Sequence, residues 1–390
     1  MSDSSATAGE SPVTDRLSCP SCGEAAAATD AFCESCGSPF KPQSPPPQRQ
    51  SAGVATSPSV RPCIACGGEV GSDGWCTVCG VKASNGREHV VEQPAPRVAG
   101  VSDKGIVHPR NEDAAALAAD PDTGWAALVV CDGVTTATDS DVASLAAVNA
   151  ARALLAAAPR PPNTSAEARI AHWSERLIAA AAAANRAATE VAHAIGDVEN
   201  PPSATFVAAV AERDVLVAAW IGDSRAYWLP EAGPAEQLSV DDSWATAQIH
   251  IGVSRDVAEA SPQAHAITRW IGSDGPSGDA STSATTARSP GWLMLCSDGL
   301  WNYCSEASEL AKLVYSLTDS SAARDPLPLA ESLVTWANEQ GGHDNITVTL
   351  AYIDPTAEID PTAEIDPAAE TEPAAETDPA ASEVEMKESF

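Results

Sequence analysis

The sequence predicts an α+β domain built on two antiparallel sheets, and three observations carry that expectation. The first is Leu128-Val129-Val130-Cys131-Asp132-Gly133, an apolar, β-branched run of strand length that ends on an acid and a glycine. The same grammar returns at Trp292-Leu293-Met294-Leu295-Cys296-Ser297-Asp298-Gly299. The second is a change of period between those runs. Alanine-rich stretches ending near Ala157 and covering 166–195 read as helices, the latter with Ile170, Trp173, Leu177 and Ile178 at helical spacing. The third is a set of short apolar segments joined by tight turns at Asp214 and at Gly222-Asp223-Ser224-Arg225, which reads as a second sheet.

Bulk properties bound the function. The 390 residues are enough for one large domain with smaller units beside it. No apolar run approaches the ~18–20 residues of a membrane span. Met1-Ser2-Asp3-Ser4-Ser5 lacks the basic-then-apolar order of a secretory signal, so a cytoplasmic location is expected. The net charge of −32 argues against attraction to nucleic acid or to an anionic membrane surface. Eleven cysteines are present. Most of them stand in Cys-x-x-Cys pairs, which in the cytoplasm means metal rather than disulfides.

Taken in order, residues 1–16 are rich in Ser, Thr, Ala and Asp and are expected to be disordered. Residues 17–40 hold Cys19, Cys22, Cys33 and Cys36, and residues 61–84 hold Cys63, Cys66, Cys76 and Cys79. Each unit resembles a zinc ribbon, with four thiolates for one structural Zn²⁺ and a glycine after each second cysteine for the tight turn. Units this small cannot bury a sufficient core, so metal binding, apparently worth ~10–16 kcal/mol in small fingers, must hold them. Their near-neutral charge favours a protein-interaction or spacing role over nucleic-acid binding. A Pro/Gln/Ser-rich linker covers 41–60 and a polar linker 85–97.

The large domain is expected at 98–354. Strands are read at 98–102, 114–119 and 125–131. Asp139 and Asp141 are read as the N-cap and first turn of the helix that follows, not as metal ligands. That helix is broken by Pro159–Pro162. After the second helix come strands at 204–211, 215–221 and 226–229, and a long polar stretch in which 275–289 is read as loop. A strand at 292–296, helices at 308–317 and 326–339, and a strand at 346–353 close the domain. The hexapeptide Ile-Asp-Pro-Thr-Ala-Glu then repeats with variation. Regular proline and one sign of charge make 355–390 a disordered acidic tail.

Carboxylates cluster at the strand ends and tight turns of this domain: Glu112 and Asp113, Asp132, Asp223, Asp298 and Asp344. All-oxygen ligation favours Mg²⁺ or Mn²⁺ over Zn²⁺. Two such ions ~3.5–4 Å apart can share a bridging hydroxide and stabilise in-line displacement at phosphorus. The residues alone therefore point to metal-assisted phosphoester hydrolysis.

Five ordered motifs carry a more specific likeness: Asn111-Glu112-Asp113, Asp132-Gly133, Ile221-Gly222-Asp223-Ser224-Arg225, Cys296-Ser297-Asp298-Gly299-Leu300-Trp301 and Gly341-Gly342-His343-Asp344-Asn345-Ile346-Thr347. Residues 98–354 resemble the metal-dependent serine/threonine protein phosphatases of type 2C. The resemblance implies a four-layer αββα sandwich of two antiparallel sheets flanked by helices. It implies that Asp132 bridges two Mn²⁺ or Mg²⁺ ions, that the Gly133 carbonyl binds one, and that Asp298 and Asp344 ligate the other. Glu112 would hold a metal-bound water, Asp113 would support it, and Asp223 would ligate a third, weaker ion. Ser224 and Arg225 would be structural. The family's phosphate-gripping arginine is replaced by His108, which can donate a hydrogen bond or carry charge when protonated; Arg110 is the nearby substitute. Val134-Thr135-Thr136 also replaces the family's glycines after Asp-Gly. Phosphorylated proteins in a bacterial-type serine/threonine kinase pathway are the implied partners. A pseudophosphatase that binds phosphoproteins, or a zinc-ribbon nucleic-acid-binding protein, are the alternatives.

Overall fold

A computed structural model describes residues 86–356 apart from short breaks at 162–163, 197–198, 255–256, 259, 265, 277 and 319–323. Before them it describes 16–18, 25–27, 63, 66–71 and 75–81. Two short strands, β1 (Arg16–Ser18) and β2 (Ala25–Ala27), pair antiparallel near the N-terminus. Cys19, Cys22, Cys33 and Cys36 lie outside the described residues, as do the expected linker 41–60 and the acidic repeats from 357 onward.

The main domain starts with β3 (His89–Ala95), β4 (Val98–Asp103), β5 (Ala114–Asp120) and β6 (Trp125–Cys131). Helices α1 (Ser140–Ala157) and α2 (Ala166–Ile195) follow. Next come β7 (Ser203–Ala204), β8 (Phe206–Glu212), β9 (Val215–Ile221), β10 (Arg225–Pro230) and β11 (Glu236–Gln237). A short helix α3 (Trp244–His250) precedes β12 (Ile271–Gly272), β13 (Ser281–Thr286) and β14 (Gly291–Cys296). Helices α4 (Asp298–Trp301), α5 (Ala307–Leu317) and α6 (Pro326–Gln340) lead to β15 (Ile346–Ile353).

Two antiparallel sheets stack face to face. One has the order β11-β10-β14-β15-β4-β3, the other β13-β9-β8-β6-β5. The strand period of two explains why the runs are apolar throughout. On β6, Trp125, Ala127, Val129 and Cys131 face α1 and α2, while Ala126, Leu128 and Val130 face the opposing sheet. On β14, Trp292, Met294 and Cys296 face α4, α5 and α6, and Leu293 and Leu295 face inward. A fully buried Leu, Phe or Met contributes about 1.5–3 kcal/mol. The result is the expected four-layer αββα sandwich. α2 is capped at Ser165, whose side chain accepts from the Ala168 amide, and stops at Gly196 with φ 96°. Among the described residues no helix is long and apolar enough to cross a membrane.

The structure departs from the sequence reading most clearly in the following places. Residues 89–95, expected within a linker, form β3 and pair with β4, so the domain begins before Val98. Pro94 weakens the strand signal, and proline is tolerated because β3 is an edge. Ser281–Thr286, expected as loop, pairs with β9 as the other sheet's edge; its small polar residues carry no apolar alternation. Asp139 occupies the N-cap of α1, but in left-handed conformation (φ 50°) and without a capping hydrogen bond from its side chain.

Candidate metal centre

Strand register gathers the acids at one end of the sandwich. Ala114 pairs with Cys131, which sets Asp113 beside Asp132. Phe206 pairs with Ile221, bringing Thr205 and Gly222-Asp223 to the same end. In the other sheet Cys296 lies between Arg225 and Val348, so Asp298 and Asp344 leave their strands on this side too. A cavity of about 340 Å³ opens at the opposite pole, near Arg97, Asp120 and Tyr352, away from these acids.

Glycines permit the close approach. A Cβ on Gly133 would stand 2.7 Å from the Glu112 carbonyl oxygen, and one on Gly299 would stand 2.0 Å from that of Asn345. Thr205 clamps Asp132: its hydroxyl accepts from the Asp132 amide at 3.1 Å and its amide donates to the Asp132 carbonyl at 2.8 Å. Ser224 shares a hydrogen bond of 2.7 Å with the Thr205 hydroxyl. Arg225 donates to both oxygens of Asp241, at 2.9 and 2.6 Å, and lies over the Trp301 ring, a structural role in keeping with its place in the turn.

The acids are crowded and incompletely paired. Burial, joined by the charges of Asp113, Asp298, Asp344 and Asp223, pushes Asp132 well above the usual carboxylate range. Asp298 is raised by burial and by Asp344 and Asp223. Burial lifts Asp113 to about 6, against hydrogen bonds from Ser297 and Thr347, each 2.7 Å from its Oδ2. Asp223 rises to about 7 through burial and Asp241. Glu112 Oε2, Asp113 Oδ1 and Asp298 Oδ1 are buried without a hydrogen-bond partner. Crowded like charges with free buried lone pairs are what a divalent cation would satisfy.

Glu112 is held from several sides. Its amide donates to Asn345 Oδ1 at 2.7 Å, and its carbonyl accepts from the Ser144 hydroxyl at 2.5 Å. Arg110 donates to Glu112 Oε1 through Nε at 2.8 Å and through Nη2, with Nη1 3.8 Å from Asp141 Oδ1. His108 is buried, with Nε2 3.4 Å from Asp344 Oδ1. The structure thus brings together Glu112, Asp113, Asp132, Gly133, Asp223, Asp298, Asp344, His108 and Arg110.

The Protein phosphatase 2C family model matches residues 107–338, more than half of the sequence. The chain belongs to the protein phosphatase 2C family. The serine/threonine phosphatase Stp of Listeria welshimeri is 32% identical over 154 residues, 39% of this chain and 57% of that protein. Protein phosphatase PhpP of Streptococcus pneumoniae is 39% identical over 137 residues, 34% of this chain and 50% of that protein. The match therefore spans little more than half of these relatives' length. The crystal structure of the Mycobacterium tuberculosis serine/threonine phosphatase PstP/Ppp is similar with a TM-score of 0.53 at 26% identity, covering 66% of this chain and 98% of that one.

Sequence reasoning missed several supports of the site. Asn345 donates through Nδ2 to the Lys104 and Arg110 carbonyls, tying β4, the His108 loop and β15 together. Arg87 donates to the Asp113 and Asp141 carbonyls. Asn345 stood inside a recognised motif and was findable; Arg87 lay in a stretch read as linker.

A second cluster lies in the N-terminal region. The Sγ atoms of Cys63, Cys66, Cys76 and Cys79 all lie within 4.8 Å of one another. Gly67 and Gly80 adopt φ of 72° and 71°, and their amides donate to the Cys63 and Cys76 carbonyls at 2.7 and 2.9 Å. The Cys79 amide, with that of Val78, donates to Cys76 Sγ and lowers its thiol to about 6 despite some desolvation.

Proposed function

We propose that this chain is a metal-dependent protein phosphatase that hydrolyses phosphoserine and phosphothreonine in proteins. The observation that carries the proposal is the crowd of raised, partly unpaired carboxylates at one end of an αββα sandwich of this family. The family uses Mn²⁺ or Mg²⁺, and the donor set here is all oxygen, which suits those ions. Two bound ions would supply an activated water and electrophilic stabilisation for in-line displacement at phosphorus. Asp132, the Gly133 carbonyl, Asp298 and Asp344 would hold them, with Asp223 toward a third.

The chain's own residues do the remaining work. Arg110 fixes Glu112 Oε1 so that Oε2 is left for a water. Ser297 and Thr347 fix Asp113 Oδ2 and leave Oδ1 toward the same region. His108, held by Asp344, takes the position of the usual phosphate-gripping arginine and can donate one hydrogen bond to a phosphate oxygen. Phosphate binding should accordingly be weaker than an arginine fork would give.

The test is Mn²⁺-dependent phosphate release from a phosphothreonine peptide, comparing the protein with Asp132→Asn. Release by the protein and loss to background in the variant are expected. Equal rates would leave a phosphoprotein-binding scaffold as the better account.

For the N-terminal region we propose two structural zinc ribbons. In a tetrahedron with Zn–S near 2.3 Å the sulfurs stand about 3.8 Å apart. Cys63 and Cys79 are 3.6 Å apart and Cys66 and Cys76 3.5 Å, so these two pairs already stand near the tetrahedral separation. Phosphoproteins of a bacterial-type serine/threonine kinase pathway are the proposed partners; the relatives' names, serine/threonine phosphatase and protein phosphatase, support this.

A further inference from the structure

Arg87 lies outside the residues that match the family model, in the segment that connects the second cysteine cluster to β3. Its guanidinium nonetheless reaches the main chain behind the Glu112-Asp113 pair. Two of its nitrogens donate to backbone carbonyls, Nη2 to Asp113 and Nη1 to Asp141. Asp113 belongs to the Glu-Asp pair, and Asp141 lies in the first turn of α1. The Arg87 carbonyl accepts from Asn111 Nδ2 at 3.1 Å, and the same amide nitrogen donates to the Ser102 hydroxyl at 2.9 Å. Asn111 Oδ1 in turn accepts from the Asp113 amide at 3.2 Å. One arginine therefore grips Asn111-Glu112-Asp113 through the carbonyl of its last residue and the side chain of its first. It also fastens that segment to α1.

Burial lowers the Arg87 pKa against the pull of Asp141 and Asp113, so a guanidinium is kept partly desolvated at this point. A planar fork suits two carbonyls from different segments, whereas a lysine ammonium offers no such fixed geometry.

We propose that Arg87 is a positioning residue for the metal centre: it sets the Glu112-Asp113 backbone and so the direction in which those carboxylates present their free oxygens. The inference rests on the metal-centre reading above. It implies that the connection to the ribbon domain is mechanically part of the catalytic site. A displacement of Arg87, six residues after Val81, the last described residue of the cluster, would be felt at Asp113.

The experiment is calorimetric titration of the full-length chain with Mn²⁺, for the protein, Arg87→Met, Arg87→Lys and Asp132→Asn. Residues that orient metal ligands from behind cost about 10–100-fold in metal affinity when removed. Arg87→Met should bind Mn²⁺ at least about tenfold more weakly at unchanged stoichiometry, with Arg87→Lys between it and the parent. Parent-like affinity in Arg87→Met, with binding lost in Asp132→Asn, would overturn the Arg87 inference and leave the metal centre standing. Equal binding by the parent and Asp132→Asn would overturn the metal-centre reading itself. If Arg87→Met fails to fold by circular dichroism, Arg87→Lys carries the test, and parent-like affinity there overturns the proposal.

Discussion

Asp132 is surrounded by charges of its own sign, and that fixes a consequence for the chain without metal. Asp113, Asp298, Asp344 and Asp223 all act to disfavour its ionised form. Asparagine keeps the shape and removes the charge. In chelator, Asp132→Asn should therefore raise the urea midpoint, by about 1–3 kcal/mol in unfolding free energy. With millimolar Mn²⁺ the order should reverse, because the parent gains binding energy that the variant lacks. A variant less stable than the parent in chelator would show that these carboxylates do not repel one another in the folded chain. At this scale the sequence was informative where a side chain ends an apolar run: Asp132 and Asp298 announce themselves by position. It was silent on Arg87, whose acceptors are backbone carbonyls, and backbone acceptors leave no residue signature.

Elements buried on both faces were legible, and edges were not. β9 and β15 have the bounds read from the sequence, because a strand between two layers is buried at every position and reads as a largely apolar run, interrupted in β15 only by the buried Thr347 and Thr349. β3 and β13 need only one packed face and one hydrogen-bonding flank, so His89-Val90-Val91-Glu92 and Ser281–Thr286 read as polar connections. β3 is also held by charge. Partial burial works against the protonated form of His89, but hydrogen bonds to Asp103 at 2.7 Å and Glu331 at 3.3 Å outweigh it and raise its pKa. A raised histidine contributes stability that is complete below its unfolded value, about 6.5, and is lost as pH climbs through the folded value. The side chain is 42% exposed, so the contribution is at most about 0.5–1 kcal/mol. Urea unfolding of the parent and His89→Gln should differ at pH 5.5 and converge at pH 8.5. A gap that is the same at both values would mean that packing, not charge, holds the strand.

The whole molecule combines parts held by different forces. The sandwich rests on three hydrophobic clusters, one beneath each helix layer and one between the sheets. Among its described residues the cysteine unit shows no comparable core, while its four sulfurs converge. Displacing metal with a mercurial thiol reagent should release two equivalents of zinc per chain, read with a chromogenic chelator. The far-ultraviolet signature of the sandwich and its thermal transition should persist. Release of less than one equivalent would exclude zinc from the described unit as well as from the one at Cys19–Cys36. Period changes marked the strands and helices at this scale and the family resemblance implied their αββα stacking, whereas the pairing of β15 between β14 and β4 was not legible. Nothing in a strand's composition names its neighbours.

That pairing has a consequence for synthesis. β15 is the last strand of the sandwich and lies inside the six-stranded sheet, where it joins β4, near the start, to β14. Asp344 and Asn345 sit just before it, and Asn345 receives the Glu112 amide. A nascent chain still lacking β15 has β4 and β14 unjoined and Glu112 without that anchor. The proposed metal centre would therefore be completed late, once residue 353 has left the ribosome. A product truncated before β15 should bind no Mn²⁺ at this site.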